Sequence, residues 1–278
     1  MINENPPLPD KIAIIAGQGS MPREVYDACV KKGIHAEIIG LEGQIDLSLF
    51  EDLTVSVIPI HAVSNIINKI KSFDISNIIL AGRVKRRAIP KLILDIKGAK
   101  LFTKILRSGL SDKGLTKAII SFLASEGLNV LSPEKIVIDF VAKPGNMTNV
   151  IIKKSHIRDI EQGLKMLKEI SKLDVGQSLI IQNGLILGVE AAEGTDELIK
   201  RCGLIKQKFD TEPVLIKICK PDQDKRIDLP CIGEQTIIKM HQYGIKGIAL
   251  QPNLCLILNK AKTLETANSY GIFIYGLQ

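Results

Sequence analysis

The densest chemistry in this chain lies between Lys217 and Asp228. There the stretch KICKPDQDKRID holds three lysines, one arginine and three aspartates. Pro221 inside it and Pro230 just beyond keep it from continuing either flanking element. Asp224 and Asp228 are oxygen donors suited to a hard cation. Lys217, Lys220, Lys225 and Arg226 suit a diphosphate. Hydrolysis of a phosphoryl group needs both kinds of side chain: carboxylates to hold a metal or orient water, and cations to neutralise the phosphate.

Three further stretches depart from core and solvated face. In GVEAAEGTDE (188–197), Glu190 and Glu193 flank two alanines at a strand end, and Thr195 and Asp196 open a helix. Acids there suit the helix dipole, and the small alanines leave room beside two carboxylates. In AGRVKRR (81–87), a strand ends in a glycine and an arginine. Ligands of open α/β sheets gather beyond the carboxyl ends of strands, so Arg83 stands where a ligand residue belongs. Arg86 and Arg87 are assigned to a solvated face. In AGQGSMP (16–22), Gly17 and Gly19 precede a helix and would offer bare backbone N–H groups to an anion. As a dinucleotide fingerprint this turn is incomplete, because Pro22 stands at the third glycine position; Glu42 could mimic the ribose-binding acid. A nucleotide-dependent oxidoreductase is therefore the lesser reading.

The elements that must position these residues alternate. Strands are expected at 12–15, 36–41, 55–60, 77–83 and 129–132, with Ser20 as N-cap and Pro22 in the first turn of the first helix. Ile89, Leu92, Ile93 and Ile96 fall at i, i+3, i+4, i+7 and predict a helix with one apolar face. Another helix follows over 115–123, capped near Ser111 or Asp112 and stopped by Gly127. Beyond about residue 135 a helix at 157–172 precedes two apolar runs separated by Asn183-Gly184, a strong hairpin signal. Strands at 214–220, 247–251, 255–260 and 271–277 alternate with helices at 196–202, 233–243 and 261–270, which Gly203, Gly244 and Gly271 would stop. The expectation is α/β with two domains: a Rossmann-like, mostly parallel domain over 1–135 and a mixed α/β catalytic domain over 136–278.

The chain has 278 residues, 45% of them apolar, enough for a sizeable core. Its opening, MINENPPLPD, is polar and proline-rich and lacks the pattern of a signal peptide, and no apolar run reaches the length of a membrane span. A soluble, cytoplasmic protein is expected. The five cysteines form no C-x-x-C pair and the four histidines are isolated, which argues against disulfide frameworks and thiolate or histidine metal sites. A metal would be bound by oxygen. Residues 82–107 hold nine Lys or Arg against one Asp, a net +8, so the rest of the chain sums to −1 of the total +7. Such a segment expects an anionic partner. Nucleic acid is disfavoured: the segment has one aromatic, Phe102, and the chain has no Trp to stack on bases. A homo-oligomer is compatible with the sequence.

In this order, IAGQGSMP, AGRVKRR, GQSLIIQNGLILGVEAAEGTDELIKRCG, LIKICKPDQDKRIDLPCIG and GIFIYG resemble the UDP-2,3-diacylglucosamine pyrophosphatases of lipid A biosynthesis, the LpxI type. The resemblance covers nearly the whole chain. It implies two α/β domains with the substrate held between them, dependence on Mg²⁺ or Mn²⁺, and hydrolysis of UDP-2,3-diacylglucosamine to UMP and 2,3-diacylglucosamine 1-phosphate. Carried over by position, Asp224 and Asp228 become the catalytic and metal-binding candidates. Glu193 and Asp196 would join them at the metal, and Glu190, Thr195, Lys217, Lys220, Gly17, Gly19 and Arg83 would meet the substrate. The chain departs from the family pattern at Gln18, where a glycine is common, and at Lys113, where an acid is common beside Asp112. For an amphiphilic substrate, a segment both basic and apolar suits the lipid end or an anionic inner membrane surface.

Overall fold

The computed structural model describes residues 8–278 apart from 110 and 222; the side chains of residues 86–88 and 112 also lie outside the description. The solvated face assigned to Arg86 and Arg87, the capping alternative at Asp112, and most of the polar opening thus fall outside the described residues. The chain forms two compact units. One comprises the residues up to Ile138 together with Asp224–Asp228, and the other Asp139–Gln223 with Leu229–Gln278.

In the first unit, strand β1 (Lys11–Ala16) pairs in parallel with β2 (His35–Leu41) and with β4 (Asn77–Ala81). Strand β3 (Val55–Ile58) lies outside β2 and β5 (Asn129–Val130) outside β4, giving the order 3-2-1-4-5. The helices are α1 (Met21–Lys31), α2 (Val63–Ser72), α3 (Ile96–Ser108) and α4 (Asp112–Ser125). Side chains of β1 and β2 alternate between two clusters, as strand geometry requires. Ala13, Ile15, Ile39 and Leu41 pack with Ile66 and Ile67 of α2, Leu101 and Ile105 of α3, and Phe122 of α4. Ala16 and Ile38 pack with Phe50 and Tyr26 of α1. Covering on both faces explains the near-continuous apolar strands.

Local departures have identifiable causes. Ser20 precedes α1 without capping it through its side chain, and its hydroxyl donates instead to Glu24 at 2.7 Å. The helix expected from Ile89, Leu92, Ile93 and Ile96 is two elements. Arg86–Leu94 is a 3₁₀ segment with Pro90 inside it, and α3 begins afresh after Asp95. Asp95 is extended, and its carboxylate accepts from the amides of Lys97 and Gly98 and from Ser64. This cap resets the helical phase, so Leu92 is buried while Ile93 and Ile96 face outward. Ser111 caps α4 as expected, accepting from the Gly114 amide at 3.2 Å.

The second unit carries the sheet β6-β13-β11-β9-β7-β8. Its members are β6 (Gly145–Asn146), β7 (Ser178–Gln182), β8 (Leu185–Val189), β9 (Val214–Lys217), β11 (Gly247–Leu250) and β13 (Phe273–Gly276). The three strands β9, β11 and β13 are parallel, whereas β6, β7 and β8 run antiparallel to their neighbours. A separate parallel pair joins β10 (Cys231–Ile232) to β12 (Leu256–Ile257). Helices α5 (Lys154–Ser171), α6 (Thr195–Ile205), α7 (Glu234–Tyr243) and α8 (Lys260–Ser269) complete the unit. Gly203 does not stop α6, which runs on to Ile205. A Cβ on Gly203 would lie 2.5 Å from that of Tyr243, so the glycine serves the approach of α6 to α7. Among the described residues no helix is long and apolar enough to cross a membrane.

The Asn183-Gly184 hairpin forms between β7 and β8 with φ of 48° and 77°, the positive pair that a type I′ turn needs. The buried Asp159 carboxylate of α5 accepts both turn amides, each at 2.7 Å. Charge-assisted bonds of this kind contribute roughly 1.5–3 kcal/mol each. Asp159→Ala is expected to lower the urea midpoint by the equivalent of about 2–4 kcal/mol, since water reaches the exposed turn and recovers part of the loss. An unchanged midpoint would show that the turn residues alone set the hairpin.

Candidate active site

The stretches AGQGSMP and AGRVKRR meet at the carboxyl ends of β1 and β4. This is where the 3-2-1-4-5 order reverses, the place where open α/β sheets bind ligands. The Gln18 amide donates to the Arg83 carbonyl at 2.8 Å and the Arg83 amide returns to the Gln18 carbonyl at 3.0 Å, with Gly17 bonded to the Ala81 carbonyl at 2.8 Å. Glycine at 17 is required by this approach: a Cβ there would stand 2.5 Å from the Arg83 carbonyl oxygen. The Gly17 amide is thus committed to the sheet rather than to an anion. Gly19, at φ 95°, opens onto space with nothing within 4 Å of a Cβ position. Arg83 leaves the bridge with its side chain exposed.

The charged stretch folds as a turn whose centre, Asp224–Asp228, belongs to this first unit. The amides of Ile227 and Asp228 both donate to the Asp224 carbonyl at 3.1 Å. Ile227 packs against the core of the unit, and the Lys225 carbonyl accepts from Ser132, just after β5, at 2.8 Å. The Asp224 carboxylate takes a two-pronged bond from Arg226, 2.9 Å from Nε and 2.7 Å from Nη2. That guanidinium holds the Asp224 carboxyl below the usual aspartate range, and the carboxylate in turn raises Arg226. Asp224 is therefore ionised and a weak base, better fitted to orient water or meet a cation than to take a proton.

In the second unit, β9 delivers Lys217 into the sheet interior, 3% exposed. Its Nζ donates to Thr195 Oγ1 at 2.7 Å and to Ser178 Oγ at 3.2 Å. Thr195, at the N-terminus of α6, donates to Glu190 Oε1 at 2.8 Å. The other oxygen of Glu190, a residue 7% exposed, lies 4.0 Å from Lys217 Nζ and has no hydrogen-bond partner. A buried cation and carboxylate joined through one hydroxyl at a helix N-terminus form a charged device, since an unpaired buried charge costs far more than an exposed one. Ser178 escaped the sequence reading. Its one signal was a polar residue opening the otherwise apolar run SLII. Lys220 is held apart, its ammonium on Asp174 at 2.5 Å and its amide on Gln223 at 2.9 Å.

Glu193 and Asp196 meet cations of their own. Glu193 pairs with Arg201 at 3.0 Å, and its carboxyl is lowered first by its own backbone amide and then by Arg201. Asp196 pairs with Lys239 at 2.7 Å. Among the described residues no three His, Cys, Asp or Glu side chains gather to hold a metal. The arrangement does not fit a cage for Mg²⁺ or Mn²⁺ built by the protein alone.

The fold is that of a two-unit α/β protein with charged side chains gathered at strand ends and in one turn. Residues 11–140 match the LpxI N-terminal domain and 143–275 the LpxI C-terminal domain, so the chain belongs to the LpxI family. It is 27% identical over 273 residues to "UDP-2,3-diacylglucosamine pyrophosphatase LpxI" of Caulobacter vibrioides, covering 96% of this chain and 97% of that one. Among solved structures, glycinamide-RNase-transformylase T from Mycobacterium tuberculosis aligns at 12% identity over 66% of this chain and 44% of its own. The TM-score of that alignment is 0.22.

Proposed function

We propose that this chain hydrolyses the diphosphate of UDP-2,3-diacylglucosamine to UMP and 2,3-diacylglucosamine 1-phosphate, a step of lipid A biosynthesis, at the cytoplasmic face of the membrane that holds the lipid. The observation that carries this is the end-to-end match of both family domains and of a curated relative bearing that activity in its name.

The residues take the following roles in the proposal. Asp224 and Asp228 are the catalytic carboxylates; Asp224, kept ionised by Arg226, orients the attacking water or receives the positive charge that accompanies the diphosphate. Thr195, at the N-terminus of α6, faces a phosphate oxygen, where helix amides favour anions. Lys217 stands behind it and supplies positive charge through the Thr195 hydroxyl, with Glu190 balancing that charge in the absence of substrate. Gly19 and Arg83 meet the nucleotide end, and Gly17 holds their loop in place. Lys220 fixes the entry to the charged turn through Asp174.

A requirement for Mg²⁺ or Mn²⁺ is part of the proposal, with Glu193 and Asp196 as further oxygen donors once released from Arg201 and Lys239. The support is chemical: Mg²⁺ is commonly bound through one or two carboxylates plus substrate phosphates. Release of UMP from the lipid substrate should stop in excess EDTA and return on adding Mg²⁺ or Mn²⁺. Full turnover in excess chelator would remove the metal from the account, and no UMP under any condition would remove the activity.

A further inference from the structure

Two of the four apolar residues at helical spacing, Ile93 and Ile96, lie outside the core of the first unit, and Leu94 between them is exposed as well. Ile93 is 56% exposed, Leu94 70% and Ile96 81%, three large aliphatic side chains within four positions where the 3₁₀ segment hands over to α3. Their neighbour Leu92 is buried and anchors the segment, so the outward direction of the other three is set by packing and by the Asp95 cap. Scattered exposed aliphatics are ordinary, whereas a contiguous apolar tip is a contact surface.

The charges around the tip select its partner. Lys91 precedes it and is exposed. On α3, Lys100 and Arg107 lie within about 40° of Ile96 around the helix axis and are exposed with it, while Leu101 and Ile105 point to the core. Lys97 pairs with Glu126 and so contributes less free charge, while Lys104 keeps its charge and is held by the neutral oxygens of Ser121 at 3.2 Å. The product is an apolar tip beside a basic helix face, in a segment of net +8. A second copy of the chain meeting this surface about a two-fold axis would set lysine against lysine. An anionic lipid surface answers both features: acyl chains for the tip and headgroups for the cations.

We propose that Ile93, Leu94 and Ile96, with Lys91, Lys100 and Arg107, form a membrane-docking surface for bilayers rich in anionic lipid. It rests on the membrane placement of the proposed reaction, and vesicles without substrate test it separately from turnover. In vesicle sedimentation at low salt, the full chain should bind vesicles of phosphatidylglycerol and phosphatidylcholine in equal parts, and bind phosphatidylcholine alone far more weakly. High salt should reverse most of that binding, because the attraction fades within a Debye length. Lys91→Gln, Lys100→Gln and Arg107→Gln together should weaken partitioning roughly a hundredfold, at about fivefold per charge. Ile93→Ser, Leu94→Ser and Ile96→Ser together should weaken it at least tenfold on the same vesicles, by about the worth of one buried aliphatic side chain. Both variants alter exposed side chains, and unchanged circular dichroism with retained turnover of detergent-dispersed substrate would confirm that they fold. Equal sedimentation with both vesicle types, or variants that bind like the parent, would overturn the proposal. So would a dimer in sedimentation velocity that the serine variant dissolves, which would assign the tip to a second copy.

Discussion

Replacing Asp224 or Asp228 by alanine is expected to lower the release of UMP by at least ~10²-fold, the scale for losing one positioned catalytic group. Circular dichroism should not change. The expectation rests on where the turn is built. Its backbone closes on the Asp224 carbonyl, Ile227 anchors it in the core, and Ser132 holds the Lys225 carbonyl. None of these contacts uses the Asp224 carboxylate, whose bonds go to the side chain and amide of Arg226. Removing it should spare the fold while releasing Arg226 from its ion pair. A half-exposed pair of this kind contributes little stability, so a large loss of rate would have to be chemical. Near-parental turnover by both variants would move the catalytic carboxylates elsewhere in the chain.

The second large effect concerns the buried pair behind Thr195. Lys217→Met should destabilise the second unit by about 3–5 kcal/mol, the cost of leaving one member of a buried ion pair uncompensated. Glu190 would then keep a buried carboxylate with only the Thr195 hydroxyl on it. Changing both, Lys217→Met with Glu190→Leu, should recover most of that loss, since well-packed apolar groups often replace a buried pair at no net cost. Turnover should stay low in the double variant, because the positive charge behind Thr195 is gone. Urea unfolding of the parent, the two single variants and the double variant measures the coupling. A single variant as stable as the parent would show that the pair is not coupled. Recovered turnover in the double variant would separate Lys217 from catalysis.

Much of this architecture was legible in the residues. The mostly parallel character of the first unit follows from short apolar strands punctuated by Gly33 and Gly127, and the hairpin from Asn183-Gly184, because these signals are local, whereas the strand order 3-2-1-4-5 is not. The charged stretch was legible as a turn, since Pro221 cannot extend the strand before it and seven charged side chains resist burial. What failed was phase. Ile89, Leu92, Ile93 and Ile96 keep helical spacing, yet Pro90 and the Asp95 cap divide them between two elements, and a cap resets every later side chain. A glycine near a helix end usually stops the helix, but Gly203 faces Tyr243 on another helix, which spacing cannot reveal. The pairing of Lys217 with Thr195 and Ser178 was equally hidden, since it joins three elements across 39 positions of sequence. The placement of Asp224–Asp228 in the first unit was hidden too, because Ile227, one apolar residue amid charged ones, packs on that unit's core.

The proposed reaction cuts one phosphoanhydride bond and leaves a phosphate on each product. Mass-spectrometric quantitation of both products from UDP-2,3-diacylglucosamine, with Mg²⁺ present, tests it most directly. UMP and 2,3-diacylglucosamine 1-phosphate are expected in equal amounts, with the parent protein and not with Asp224→Ala. Release of UDP with an unphosphorylated sugar lipid, or intact substrate after prolonged incubation with folded parent protein, would contradict it.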